Sequence, residues 1–394
     1  MNLFLRLLVL LACAAAPALA QRSLGSVEVA VDGSVLLVRV SGSTPELDAL
    51  ARTAFNTHGR YKLVASGYAF DIRFSPAGPT QVRVDIARGT ANVASETATG
   101  RTLREALLRA ADIAVEKTNG LSLKGYFTAR LAFIRDQGRV KEVCTSDLFF
   151  SSGEVRQVTR NNALALSPRW APDGSRILFT SFFKSGFPDI YQLDLASNQW
   201  TTFASFKGTN SGARFSPSGR QVAMVLTGEG TPEIYVSDAQ GRGVARRTRS
   251  DSAKASPCWS PDGGRIVFTM EPGPQLYVIP AGGGPVQRLA TGFSYAAEPD
   301  WSRGNPSRIA CTVRVGRSYQ IAVYDFAKGK AEVVSKAAFD GVEPSWLADG
   351  RHLVYSARTP TESRLSILDT ETGKSTPIST REVGSALQAN VWTP

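Results

Sequence analysis

The sequence predicts an all-β six-bladed propeller preceded by a small α+β domain, with the ring closed by pairing of the C-terminal strand against the first propeller segment. Three observations carry this. A phrase of residues recurs through the later part of the chain, the incomplete repeats at its two ends complement each other, and the preceding segment mixes helix and strand signals without repeating.

The phrase is "SPRWAPDGSRILFTS" from Ser167 and "SPCWSPDGGRIVFTM" from Ser256. Its aromatic recurs at Trp170, Phe215, Trp259, Trp301 and Trp346, with a last tryptophan at Trp392, at spacings of 45, 44, 42, 45 and 46 residues. A period of this size marks stacked supersecondary units. In each unit an aromatic opens a short strand and a Pro/Asp/Gly/Ser turn follows, as in "APDGS", "SPSGR", "SPDGG", "SRGNPS" and "LADGR". Proline presets the first turn angle, aspartate bonds back to the backbone and glycine takes the positive φ. An apolar strand such as "RILFTS" or "RIVFTM" comes next, then an alternating strand ending on Asp194, Asp238, Asp325 or Asp369, a polar turn and a final strand. Four strands per repeat make a propeller blade.

Residues 127–160 contain a second, third and fourth strand but no opening phrase, whereas "QANVWTP" at the C-terminus has an opening strand and nothing after it. Joined, they complete a sixth blade and remove the open sheet edge. The turn aspartates Asp173, Asp262 and Asp349 read as hairpin chemistry before acids or metal ligands, and the tryptophans as packing residues.

The segment before the propeller reads in order as follows. "SVEVAVDGSVLLVRV" is two alternating strands about an Asp32-Gly33 turn. Thr44 caps a helix with Pro45 at its first position, Leu47, Leu50, Ala51, Ala54 and Phe55 on one face and Gly59 at its end. Strand-like runs follow at "YKLVA", "AFDIRF" and "TQVRVDIA", then a helix from Thr102 to Lys117 opened by the capping box Thr102-x-x-Glu105. "NGLSLKG" links the domain, residues 21–125, to the propeller, residues 126–394.

Residues 1–20, "MNLFLRLLVLLACAAAPALA", form a signal peptide with Ala18-Leu19-Ala20 at the cleavage site. The apolar run is too short to span a bilayer. A second reading takes "LLAC" as a lipobox, leaving a lipid anchor at Cys13. Either route implies export. The other cysteines, Cys144, Cys258 and Cys311, form no CxxC pair and read as buried thiols. Net charge is +11 in 394 residues, yet no run of five like charges occurs. The basic balance is a solvated exterior rather than a nucleic-acid interface.

With the export signal, the α+β domain ahead of six blades, "EKTNGLSLKGYFTARLAFI" and the terminal "VWTP" in hand, the chain resembles the TolB family, periplasmic propeller proteins of the Tol–Pal envelope system. The resemblance implies a monomeric, non-catalytic interaction hub in envelope integrity, without cofactor or metal. It implies docking of the outer-membrane peptidoglycan-associated lipoprotein over one propeller mouth, and contact with inner-membrane Tol proteins through an extended N-terminal segment. Little chain separates Gln21 from the first strand, so that second contact stays open. Docking residues carried over by position are Thr209 and Gly212 before Phe215, Ala255 and Ser256 before Trp259, and Glu298 and Glu343 in "EPDW" and "EPSW". Independently of the family, loops entering innermost strands crowd the central channel, where several blades reach one ligand. The plain alternative for both glutamates is a solvated loop carboxylate.

Two other classes compete with this reading. A hydrolase needs a nucleophile elbow and a histidine beside its serine; no GxSxG occurs, no HExxH occurs, and the two histidines are His58 at a helix end and His352 at a strand start. A propeller binding a sugar or other small ligand in its channel is the alternative reading of function.

Overall fold

The computed structural model describes residues 35–394, apart from Ser152 and Ser185. The signal peptide, both processing readings and the first strand of the Asp32-Gly33 hairpin lie outside the described residues.

The chain first forms β1 (Leu36–Gly42), α1 (Pro45–Thr57), β2 (Tyr61–Leu63), β3 (Phe70–Gly78), β4 (Gln81–Arg88), β5 (Ala91–Thr99) and α2 (Leu103–Thr118). The sheet order is β2-β1-β3-β4-β5, with β1 parallel to β2 and β3 and the rest antiparallel. Thr44 caps α1 through its side chain, as the sequence predicts, and Leu47, Leu50, Ala51, Ala54 and Phe55 are its buried face. Gly59 has a different role from the expected helix stop. His58 is the cap residue, and a Cβ on Gly59 would lie 1.9 Å from the Asp369 carboxylate, so close approach demands the glycine. Thr102 accepts the Glu105 N–H at 3.1 Å, but Glu105 reaches back to Arg101 N rather than to the cap, leaving the capping box half closed. The strand β5 escaped the sequence reading because "ANVASETAT" is a mostly exposed edge with no apolar alternation.

Six four-stranded sheets follow. Blade 1 holds strands Ala165–Trp170, Arg176–Ser181, Asp189–Asp194 and Gln199–Ala204; blades 2 to 5 open with Asn210–Phe215, Lys254–Trp259, Ala296–Trp301 and Asp340–Trp346. Blade 6 pairs Ser385–Trp392 with Arg130–Asp136, then Lys141–Asp147 and Arg156–Gln157, which is the predicted ring closure. Two details correct the sequence reading. The aromatic closes the innermost strand rather than opening it. Trp392 is also one residue out of phase: Val391 pairs with Leu131 as Trp346 pairs with Leu353, so Val391 fills the aromatic slot in blade 6. The Trp392 indole instead donates to Pro172 O of blade 1 at 3.0 Å.

The domain and propeller share one core, in which Phe55, Tyr61, Leu107 and Val115 join Tyr126, Phe127, Leu131, Phe133, Val354 and Leu365. The described residues accordingly form one compact unit. The connecting segment is pinned by Asn119, whose Oδ1 accepts Leu121 N and Leu123 N, and by Asp112, which accepts the N–H groups of Phe127 and Thr128. Among the described residues no helix is long and apolar enough to cross a membrane.

Candidate functional site

Each innermost strand breaks register three residues before its aromatic slot. The bulged residues are Ser167, Gly212, Ser256, Glu298, Glu343 and Gln388, and every one has a φ between 51° and 63°. For five side-chain-bearing residues this left-handed backbone costs on the order of 1–3 kcal/mol each, and proline follows four of them, which disfavours compact backbone further. Hydrogen bonds hold it. Glu298 Oε2 accepts Glu343 N at 3.0 Å, Glu343 Oε2 accepts Gln388 N at 3.1 Å, and Gln388 Oε1 accepts Ser167 N at 2.8 Å. Blade 4 is thus stitched to blade 5, 5 to 6 and 6 to 1 around one mouth of the channel.

Four of the sequence-predicted residues, Gly212, Ser256, Glu298 and Glu343, converge on this mouth; Thr209 and Ala255 stand outside it. Thr209 donates its N–H to Thr227 Oγ1 at 2.6 Å, and Ala255 is exposed on its strand. The glutamates are not solvated loop groups. Glu343 also accepts from Ser356 Oγ at 2.8 Å and pairs with Arg358, and Glu298 accepts from Thr312 Oγ1 at 2.7 Å. Burial, then the charge of Glu343, raises the Glu298 carboxyl above its ordinary value. Ser167 was legible in the same "SP-x-W" phrase, whereas Gln388 precedes alanine and carried no signal.

A second ring lies one residue before the slot: Arg169, Arg214, Cys258, Asp300, Ser345 and Asn390. The last four accept the slot N–H of the following blade, Cys258 Sγ from Trp301 at 3.2 Å, Asp300 from Trp346 at 2.7 Å, Ser345 from Val391 at 3.1 Å and Asn390 from Trp170 at 2.9 Å. Arginine has no acceptor, so Arg169 and Arg214 cannot make this stitch and line the channel mouth. Arg214 pairs with Asp300, which lies in blade 4. Arg169 has no ion pair among the described residues and donates only to Pro168 O. Burial, then repulsion from Arg214, pulls its guanidinium down to about 10. The mouth encloses roughly 70 Å³.

Both histidines lie elsewhere, fully buried where α1 meets blade 5, with ring centroids 4.3 Å apart. His352 Nδ1 is 2.6 Å from Asp349 Oδ2, and its Nε2 is 3.0 Å from Gly59 N and 3.3 Å from Asp369 Oδ2. Arg351 forks onto Asp369 at 2.7 and 3.0 Å. Asp173 and Asp262 do ordinary turn work, bonding Ser175 N and Gly264 N, but Asp349 joins the turn to this buried cluster. Donor atoms of His58, Asp349 and His352 lie within 4.8 Å of one another, a spacing open to a cation. Asp349 already serves two backbone N–H groups and His352, and the field of Arg351 reaches His58 and Arg60. The cluster is therefore built as an interdomain latch.

A family model described as the TolB beta propeller domain matches residues 117–394, which covers the six blades just described. The chain belongs to the TolB β-propeller family. Curated TolB relatives include the Tol-Pal system protein TolB of Bordetella pertussis, 30% identical over 244 residues, covering 60% of this chain and 53% of that one. The Bordetella parapertussis protein is 32% identical over 200 residues, covering 49% and 44%. The chain thus matches about half the length of these curated TolB relatives. The crystal structure of TolB from Acinetobacter baumannii superposes with a TM-score of 0.79 at 23% identity, covering 91% of this chain and 96% of that one, and shows the shared fold.

Proposed function

We propose that this chain is a non-catalytic, periplasmic interaction hub of a Tol–Pal envelope system, and that it docks the peptidoglycan-associated lipoprotein at the bulge-lined channel mouth. The observation that supports docking there is Arg169, a half-buried cation with no carboxylate partner among the described residues, set in a mouth where side chains stitch blades 4, 5, 6 and 1 together. A desolvated cation in a preorganised site gains most from an incoming carboxylate or carbonyl. At roughly 70 Å³ the mouth admits a side chain or a chain turn rather than a saccharide, which favours a protein partner over a small ligand in the channel. Both histidines are fully buried at the domain junction, out of reach of a substrate.

The test is calorimetric titration of the chain with the periplasmic domain of the same organism's peptidoglycan-associated lipoprotein. Saturable one-to-one binding is expected, weakened about tenfold or more by Arg169→Gln or Ser256→Arg, since a charged contact is worth about 1.5–3 kcal/mol. Binding that ignores both substitutions would move the site off the mouth. No heat at several temperatures would remove the partner.

A further inference from the structure

A second site with no lining residue in common with the mouth lies where the start of α2, strands of blade 6 and the turn of blade 1 meet around a cleft of about 720 Å³. That volume is in the range of small-molecule sites. Five guanidiniums line it, those of Arg101, Arg109, Arg130, Arg156 and Arg160, against one side-chain carboxylate, Glu105. Glu105 is occupied by Arg101 and Arg109 at 2.8 and 2.9 Å, and Arg130 faces Glu154 at 3.5 Å. Arg156 and Arg160 are exposed and make no ion pair or side-chain hydrogen bond among the described residues.

The cleft also has an indole floor. Trp170 and Trp392 line it with ring centroids 5.7 Å apart and a tilt of 32°. Trp392 lies against Gly174, where a Cβ would come within 2.3 Å of the ring. The indole N–H of Trp259 reaches Arg214 O, that of Trp346 reaches Asp300 O, and that of Trp392 reaches Pro172 O. Trp170 is 8% exposed, yet its indole N–H has no acceptor among the described residues. A buried N–H without an acceptor is costly, and here it belongs to a residue lining an arginine-rich cleft.

We propose that this cleft binds an anionic saccharide, a sugar carrying carboxylate or phosphate groups. Guanidinium forks match those groups bidentately, and the apolar face of a sugar ring packs on the Trp392 indole that lines the cleft. An acidic peptide, which arginine clusters also read, is the competing occupant; it would gain no strand pairing here, because the blade 6 edge, Arg156–Gln157, is two residues long. The site is separate from the channel mouth, so its fate does not follow that of the docking reading.

The experiment uses the full chain and intrinsic tryptophan fluorescence with calorimetry, titrating trigalacturonate, glucose 1,6-bisphosphate, maltotriose and hexaglutamate. One or both anionic sugars saturate at one per chain, the carboxylate and phosphate arms naming the group that is read, and maltotriose binds at least about tenfold more weakly. The double variant Arg156→Glu/Arg160→Glu, on exposed side chains, lowers affinity about a hundredfold, with its thermal melting unchanged. No saturation by either anionic sugar overturns the proposal. So does binding indifferent to the double variant, or hexaglutamate binding more tightly than the sugars.

Discussion

The buried histidine pair makes stability depend on pH in a way whose sign can be worked out. The largest influence on His352 is burial, which opposes its charge, but the carboxylates of Asp349 and Asp369 outweigh it and hold the folded pKa above the ordinary value. A group with a raised folded pKa contributes fully below its unfolded pKa, about 6.5 for histidine, and loses the contribution as pH rises through the folded value. The slope in that window is at most about 1.4 kcal/mol per pH unit, so the fall between about pH 6.5 and 8 is no more than about 2 kcal/mol. His58 behaves oppositely. Burial, then His352 and Arg351, hold it well below the ordinary value, so its contribution is present above about pH 6.5 and is lost on acidification. The pair therefore peaks near pH 6.5, with an alkaline limb to which His352 contributes and His58 does not. The assay is urea unfolding at stepped pH on the wild type and His352→Gln. With m on the order of 3 kcal/mol/M, the alkaline limb moves the wild-type midpoint by up to about 0.7 M. His352→Gln removes its share of that limb and lowers overall stability by about 1–3 kcal/mol, as Asp349 and Asp369 each lose one hydrogen-bond partner while Asp369 keeps Arg351. An alkaline limb of equal slope in the variant, or a wild-type stability that rises from pH 6.5 to 8, refutes the reasoning.

Other outcomes follow from the same geometry. Gly59→Ala places a methyl 1.9 Å from Asp369, displaces it from Arg351 and costs about 3–5 kcal/mol, read as a lowered urea midpoint. Asp300→Ala strips Arg214 of its carboxylate and Trp346 N–H of its acceptor, for a loss of about 3–5 kcal/mol in the same assay; an unchanged midpoint would show that Asp300 does not hold the channel. Cys144, Cys258 and Cys311 are buried with thiols raised by burial, Cys144 and Cys311 to about 12, so a thiol reagent at neutral pH labels them only as fast as the chain unfolds. Rapid labelling of any of the three would contradict their packing.

The blades were legible in the sequence because each is a local unit. Turn chemistry, alternating apolar strands and a recurring aromatic all lie within one repeat, and neighbouring repeats stack by the same rule. The helix caps at Thr44 and Thr102 are local for the same reason. Tertiary structure decided whatever depends on one blade meeting another. Nothing in "EPDW" says that Glu298 will accept the Glu343 N–H of the next blade, and nothing in "SPRW" says that Arg169, lacking an acceptor, will be left over in the channel. The one-residue phase change at Trp392 followed from strand register, which sequence spacing cannot resolve. The same holds for the buried latch, where Gly59 N and His352 Nε2, distant in the chain, lie 3.0 Å apart. Periodicity belongs to the chain and can be read along it, whereas burial and charge pairing belong to the ring once closed.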